Sequence, residues 1–189
     1  MDPLPDWLNA TLASDAMQGQ GVVRPGLRPL ERDWRIAAPA YVIQAGTDDN
    51  LAVVTALATA PAGSVLVVSG HASSRTATIG DIMASEFAAR GVLGLVTDGL
   101  IRDSAEIRRL GFKVWCRGTT PTAPVKATPG RVGGTIEIGG ASVRDGDLVI
   151  ADDDGVVIWP SERVAELVTR AAARRASDEE RLRRSARAS

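Results

Sequence analysis

The feature that most constrains this chain is a series of short apolar runs set apart by helix and turn signals. Residues 37–44, which include Tyr41-Val42-Ile43, favour extended structure, as do Ser64 to Ser69, Val92 to Val96 and Phe112 to Cys116. Runs this short suit strands covered on both faces, the form taken in parallel sheets flanked by helices. Helix signals fall between them. Asp48-Asp49-Asn50 caps a predicted helix over 51–59. Ile82, Met83, Phe87 and Ala88 recur at helical spacing before Gly91, a natural stop, and Glu106 to Leu110 reads as a further short helix.

Beyond Cys116 the pattern changes. Thr119 to Pro129 is a Thr/Pro-rich loop that carries Lys126. Thr135 to Ile138 alternates, Gly139-Gly140 turns, and Ala141-Ser142-Val143 returns, which predicts a hairpin. Leu148 to Ala151 and Val156 to Ile158 are two more strands around Asp152-Asp153-Asp154-Gly155. That acidic cluster lacks the alternating ligands and closing Glu of a calcium loop, so it reads as a turn. Near the start, residues 4–17 hold a helix with Trp7, Leu8, Leu12 and Met17 towards one side, and residues 19–30 form a loop. Alternating strands and helices followed by hairpins give an α/β class with mixed sheets.

From Ser161 the composition shifts. Residues 161–189 hold eight Arg and five acids, a net charge of +3. We divide the chain into a domain at 1–160 and a charged C-terminal helix or tail at 161–189. Opposite charges four apart, such as Glu180 and Arg184, stabilise a solvated helix. An Arg-rich tail can also bind nucleic acid weakly. No basic-aromatic stripe accompanies it, so a nucleic-acid partner is not expected. One cysteine, Cys116, excludes an internal disulfide and fits a reducing compartment. It sits in an apolar strand, so it reads as core and not as a nucleophile. No apolar window is long enough to span a bilayer, and Met1-Asp2-Pro3-Leu4 lacks the basic start of a signal peptide. The expected location is cytoplasmic, with no membrane partner.

The chemistry concentrates between Gly80 and Asp103. Asp81 opens a helix, Val92 to Val96 is the next strand, and Arg102-Asp103 follows with twenty residues between Asp81 and Arg102. A helix-strand unit can fold these ends together. Two nearby carboxylates repel unless a cation lies between them, and oxygen ligands with room for water suit Mg²⁺ or Mn²⁺. Arg102 can hold a planar anion such as a 2-oxo acid. The N–H groups of Ile82 and Met83, free at the helix start, can take a carboxylate. Each acid also has a structural reading: Asp81 as an N-cap, and Asp103-Ser104-Ala105-Glu106 as a capping box with Asp in place of Ser or Thr.

These segments resemble one family. Gly80-Asp81, the twenty-residue gap, Arg102-Asp103, then Asp145-Gly146-Asp147 and Asp154-Gly155-Val156 in that order are similar to the regulator-of-ribonuclease-activity-A-like family. That family includes the class II 4-hydroxy-4-methyl-2-oxoglutarate (HMG) aldolases, and the resemblance covers roughly residues 10–160. It implies an αββα sandwich, usually assembled as a homotrimer with sites between subunits. It implies a metal-dependent lyase that releases pyruvate from HMG-like 2-oxo acids by retro-aldol cleavage, or from oxaloacetate by decarboxylation. Asp103 would bind Mg²⁺ directly, Asp81 would act through a bound water, and Arg102 would hold the 2-oxo group. The amides of Ile82 and Met83 would hold the pyruvyl carboxylate. An acid from a neighbouring subunit's C-terminal region assists aldolase members, and Glu179 or Glu180 is the candidate here. The alternative is a non-catalytic protein that binds and regulates a ribonuclease. No glycine-rich nucleotide loop follows the first strand, so a methyltransferase finds no support.

Two residues near the motif stay ambiguous. His71, the one histidine, lies in a loop after a strand and reads as a surface residue, without partners for zinc. Arg75 lies five residues before Gly80 and is open to two readings, a solvated loop cation or a contact for a second substrate carboxylate.

Overall fold

The computed structural model describes residues 4–24 and 26–187. Met1–Pro3, on which the leader argument partly rests, and the last two residues of the tail lie outside the described residues.

In chain order the elements are α1 (Ala10–Ala16), β1 (Arg28–Pro29), β2 (Ile36–Gln44), α2 (Leu51–Ala56), β3 (Val65–Ser69), α3 (Asp81–Ala89), β4 (Gly94–Thr97), β5 (Leu100–Ile101), α4 (Ser104–Leu110), β6 (Lys113–Cys116), β7 (Gly118–Thr119), β8 (Arg131–Val132), β9 (Thr135–Ile138), β10 (Ala141–Arg144), β11 (Leu148–Ala151), β12 (Val156–Trp159) and α5 (Val164–Arg187). The main sheet runs β1-β6-β4-β3-β2-β11-β12, and β8 pairs with the end of β2. Its centre is parallel: β2 with β3, β3 with β4, and β4 with β6. Its far side is antiparallel, because β11 and β12 form a hairpin.

β2 joins the two halves. Ile36 to Pro39 pair with β11, while Ala40 to Gln44 pair with β3. One strand therefore serves two sheet directions, and three apolar layers result. Ile43, Leu66, Val68, Leu95 and Val114 pack against α2, α3 and α4 through Val53, Phe87 and Ile107. Val42, Val67, Val96 and Trp115 face the other way, onto Ile136 and Val143 of the β9–β10 hairpin and onto Val149 and Ile158. Leu148, Ile150, Val157 and Trp159 bury against Ala13 of α1 and Leu167 and Ala171 of α5. The order is helix, sheet, sheet, helix: an αββα sandwich. Continuous burial along β3 and β4 explains why these strands read as unbroken apolar runs rather than as alternating ones.

Several boundaries differ from the sequence reading. The first helix starts only at Ala10, because Asn9 caps it: Asn9 Oδ1 accepts the Leu12 N–H at 2.8 Å. The loop at 19–30 contains β1 and a bridge between Val22 and Val157. Regular α2 ends at Ala56, three residues early. Ile82 is not on the core face of α3; it is 68% exposed, and the buried residues there are Ala84 and Phe87. A 3₁₀ turn at Ser161–Arg163 precedes α5. After Ala171 that helix buries nothing further, and i,i+4 pairs such as Arg184–Glu180, 2.9 Å apart, line it. No helix of the described residues is long and apolar enough to cross a membrane.

Candidate functional site

The residues before α3 and the residues after β4 run side by side. Thr78 N–H donates to Leu100 O at 2.7 Å, and Arg102 N–H donates to Ile79 O at 3.1 Å. This short ladder brings Gly80-Asp81 against Arg102-Asp103 despite the intervening helix and strand. Gly80, and not Asp81, is the N-cap of α3, and Asp81 is the first helical residue. Gly80 has ordinary extended backbone (φ −124°), so its role is space. A Cβ there would collide with Asp103 Oδ2 and would lie 2.9 Å from Arg102 Nε.

Asp103 occupies the N-cap position of α4 but does not cap it. Its backbone is left-handed (φ 55°, ψ 41°) and its carboxylate makes no capping bond. The capping-box reading therefore fails in its central feature. Instead Asp103 Oδ2 lies 3.3 Å from Arg102 Nε and 3.4 Å from the Asp81 N–H. Left-handed backbone is uncommon outside glycine, though Asp tolerates it better than most residues. Asp81 Oδ1 accepts the N–H of Ile82 at 2.8 Å. That amide is thus already engaged, where the sequence suggested it was free. The Met83 N–H meets no acceptor among the described residues.

Two recesses meet at Arg102. One, of about 490 Å³, is lined by residues that include Asn50, Gly80, Ile82, Met83, Glu86 and Arg102, with Lys126. The other, of about 350 Å³, is lined by Arg102, Asp103, Ser104, Thr119 and Thr120. Asp81 lines neither, and joins the group through its amide and its carboxylate oxygens. A wider recess of about 610 Å³ lies between residues 4–9 and 35–39. Its arginine is spent on structure, since Arg35 donates to the carbonyls of Asp6 and Leu8.

The residues present fit a hard divalent cation. Among the described residues no cluster of three or more His, Cys, Asp or Glu forms an all-protein metal cage. Mg²⁺ does not require one; it is commonly held by one or two carboxylates and keeps several waters. Asp81 Oδ2 and Asp103 Oδ1 engage no described donor, so each acid has an oxygen to offer.

His71 corrects the sequence reading. It is only 1% exposed and heads a buried chain of hydrogen bonds. Its Nε2 is 2.9 Å from Asp49 O, and its Nδ1 is 2.8 Å from Thr78 Oγ1. A carbonyl can only accept, so Nε2 carries the hydrogen and Nδ1 accepts from the Thr78 hydroxyl. Thr78 Oγ1 is then left to accept from Thr97 Oγ1, 3.2 Å away, which in turn accepts the Gly99 N–H at 3.0 Å. Every proton in the chain has one place. The network ties the loop at 48–50 to the strand-like stretch that ends at Gly80.

The neighbouring acids are equally occupied. Asp49 accepts N–H groups from Leu51, Ala127 and Thr128, and these hold its carboxyl below the usual range. Burial pushes Asp98 upward, against the N–H groups of His71 and Gly70. Burial also raises the Cys116 thiol to about 11, as a core cysteine requires. Arg75 lies on the surface, 3.9 Å from Asp48, and lines neither recess at Arg102. Glu179 pairs with Arg175 and Arg183, and Glu180 with Arg184, all within α5. The sequence reading missed Asn50 as a cleft residue. Its place at the end of Asp48-Asp49-Asn50, just before a helix, suggested only a cap.

Fold and grouping together define an αββα protein with an arginine–aspartate pair set against a helix start at a surface cleft. A family profile described as Aldolase/RraA matches residues 10–158, and the chain belongs to this RraA-like family. A protein of Halalkalibacterium halodurans, provisionally named a 4-hydroxy-4-methyl-2-oxoglutarate aldolase, is 34% identical over 92% of this chain and 82% of its own length. The crystal structure of Streptomyces coelicolor RraAS2, described as an unusual member of an RNase ES inhibitor family, is similar with a TM-score of 0.83 and 30% identity, covering 93% of both chains. A Geobacillus kaustophilus structure named as a 2-dimethylmenaquinone methyltransferase gives a TM-score of 0.74 and 33% identity over 82% of this chain and 96% of its own. These similar proteins carry three different activities in their names, so the site has to argue the function.

Proposed function

We propose that this protein is a divalent-metal-dependent carbon–carbon lyase that releases pyruvate from 2-oxo acids. Its reactions would be retro-aldol cleavage of HMG-type substrates, decarboxylation of oxaloacetate, or both. The observation that carries this reading is Asp103. It holds a left-handed N-cap position, caps nothing, and lies instead beside Arg102 and the start of α3.

A Mg²⁺ or Mn²⁺ ion held by Asp103, with Asp81 acting through water, would polarise the 2-oxo group and neutralise charge on its oxygen. Arg102 donates to the same oxygen, and its permanent charge matters most as that oxygen becomes an enolate. The Met83 N–H at the positive end of α3 takes the pyruvyl carboxylate. The Ile82 N–H, held by Asp81 Oδ1 in this structure, would join it once released from that oxygen. In the retro-aldol direction a cleft water removes the proton of the C4 hydroxyl. The C3–C4 bond breaks, its electron pair passes to the enolate, and C3 is then protonated. In the decarboxylation C4 leaves as CO₂, the C3–C4 electron pair likewise passes to the enolate, and C3 is then protonated. No lysine is needed for this chemistry. A homotrimer with the cleft at a subunit boundary would cover Ile82 and Val125, which are 68% and 58% exposed in the protomer.

The test is pyruvate release from HMG and from oxaloacetate in EDTA, followed by Mg²⁺ or Mn²⁺. EDTA should abolish it and either ion should restore it; full activity in EDTA sinks the reading. A second reading, a ribonuclease regulator that works by protein contact, draws on the RraAS2 likeness and the exposed apolar rim. It gains ground if neither substrate yields pyruvate under any metal condition and the protein inhibits a ribonuclease.

A further inference from the structure

Asn50 lines the cleft that also holds Arg102 and Met83, and it is 2% exposed. It stands at the N-cap position of α2, where Asn is a favoured residue, yet its side chain makes no capping bond. Asp49, one residue earlier, accepts the first helical N–H, that of Leu51, at 2.9 Å. The Asn50 amide nitrogen donates to Thr78 O at 3.0 Å and lies 3.5 Å from Met83 Sδ. Both neighbours are acceptors, so the nitrogen belongs on that side. The flipped amide would set its oxygen against a carbonyl. Oδ1 is therefore the atom left over, and it meets no donor among the described residues.

An unpaired buried acceptor is costly, and one in a ligand cleft is most simply explained by a donor that the ligand brings. The surroundings allow Asn50 little freedom to turn away. Its own N–H donates to Val125 O, Asp49 is held by three amides, and Asp49 O is held by His71. Thr78, which receives the Asn50 amide hydrogen, is set by the His71 chain.

We propose that Asn50 Oδ1 accepts the C4 hydroxyl of a 4-hydroxy-2-oxo acid, and so makes this cleft select aldol substrates over oxaloacetate. This rests on the lyase reading above. The two substrate types share the pyruvyl end and differ at C4. An aldol substrate carries a hydroxyl there, whereas in oxaloacetate C4 is the carboxylate lost as CO₂. Asn50 takes no proton. It orients the C4–O bond as the substrate binds, and the proton leaves to the cleft water.

The test is the ratio of kcat/KM for HMG cleavage to kcat/KM for oxaloacetate decarboxylation, in the wild type and in Asn50→Ala. The ratio should fall by about 10–100-fold, the usual worth of one buried polar contact to a substrate hydroxyl. Decarboxylation should stay within about threefold, which also reports that the variant is folded. A parallel fall in both activities, or no change in either, overturns the proposal. Asn50→Ser decides the matter if Asn50→Ala is insoluble, since it keeps a polar residue favoured at an N-cap while leaving the Oδ1 position empty. A third measurement needs no variant: 4-hydroxy-2-oxoglutarate should compete with HMG at least about 10-fold better than 2-oxoglutarate does. Equal competition means that water satisfies Oδ1 and the hydroxyl is not read. A wild type that cleaves neither substrate instead brings down the lyase reading itself.

Discussion

Two acid-bearing turns in this molecule follow strands and look alike in sequence, yet they are built to opposite ends. In Asp152-Asp153-Asp154 the carboxylates are spent on the fold. Asp152 accepts N–H groups from Ala10 and Asp154, Asp153 accepts the Asp33 N–H, and Asp154 accepts the Thr11 hydroxyl. The Asp152 carbonyl also takes the indole N–H of Trp115 at 2.8 Å. This turn pins α1 and the loop before β2 to the sheet. At Asp81 and Arg102-Asp103 each acid makes fewer bonds to the fold and leaves one oxygen without a described donor, beside a guanidinium. The denser acidic cluster is the structural one. Acid count is thus a poor guide to a site, and unspent acceptors are a better one.

The sharpest way to break this comparison is to truncate one acid from each turn. Asp103→Ala should lower pyruvate formation by about 10³-fold or more, since it removes the proposed metal ligand. It should leave the protein folded and lower the melting temperature by no more than a few degrees, because no capping bond is lost and alanine in that left-handed backbone costs only about 1 kcal/mol. Asp152→Ala should do the reverse. Losing two hydrogen bonds to a carboxylate costs about 1.5–3 kcal/mol or more, and so a drop of several degrees in melting temperature, with turnover retained. Steady-state kinetics and thermal melts on the two variants check both halves. Near-normal turnover in Asp103→Ala would remove that residue from the site.

Next in size is Arg102→Lys. Lysine keeps the charge and loses the planar fork of donors. If geometry counts as the enolate forms, turnover falls by roughly 10²–10³, with a smaller change in apparent substrate affinity. Aldol cleavage and oxaloacetate decarboxylation should suffer alike, because both pass through the same enolate. Kinetics on both substrates decide it, and unchanged turnover on either would exclude Arg102 from the mechanism.

The same comparison explains what could be read from the sequence. Buried strands announce themselves by composition, so β3, β4 and the β9–β10 hairpin lie close to where the apolar runs put them. The spacing from Asp81 to Arg102 pointed to a shared space, and the backbone ladder from Thr78 to Arg102 brings them together. What could not be read is how polar groups are spent. His71 reads as a surface residue because nothing local shows that Asp49 O and Thr78 Oγ1 will close around it. Asn50 reads as a cap because it closes Asp48-Asp49-Asn50 just before a helix, and only the fold shows that the carboxylate of Asp49 takes the first helical N–H. Ile82 fitted the helical period but lies on the cleft side of α3. Long-range hydrogen bonds leave no periodic trace.

The smallest predicted effect is the most discriminating. Gly80→Ala introduces one methyl group at a position whose backbone any residue can adopt. Its cost to folding should be slight. Alanine loses less chain entropy than glycine on folding, worth about 0.4–1 kcal/mol in its favour, and this offsets much of its poorer fit at an N-cap. The collision is with Asp103 Oδ2 and the Arg102 side chain, both of which can swing outward without moving the backbone. Stability should therefore hold while the carboxylate and guanidinium shift by part of an ångström or more. A displacement of that size in a reacting group is enough to cost about 10–10² in rate. Thermal melts together with turnover on HMG and oxaloacetate test this directly. A variant that melts like the wild type but turns over slowly supports the close packing of Asp103 and Arg102 against Gly80 as a feature of the site. One that melts like the wild type and turns over normally shows that the packing belongs to the fold alone, and that the two turns are more alike than their hydrogen bonds imply.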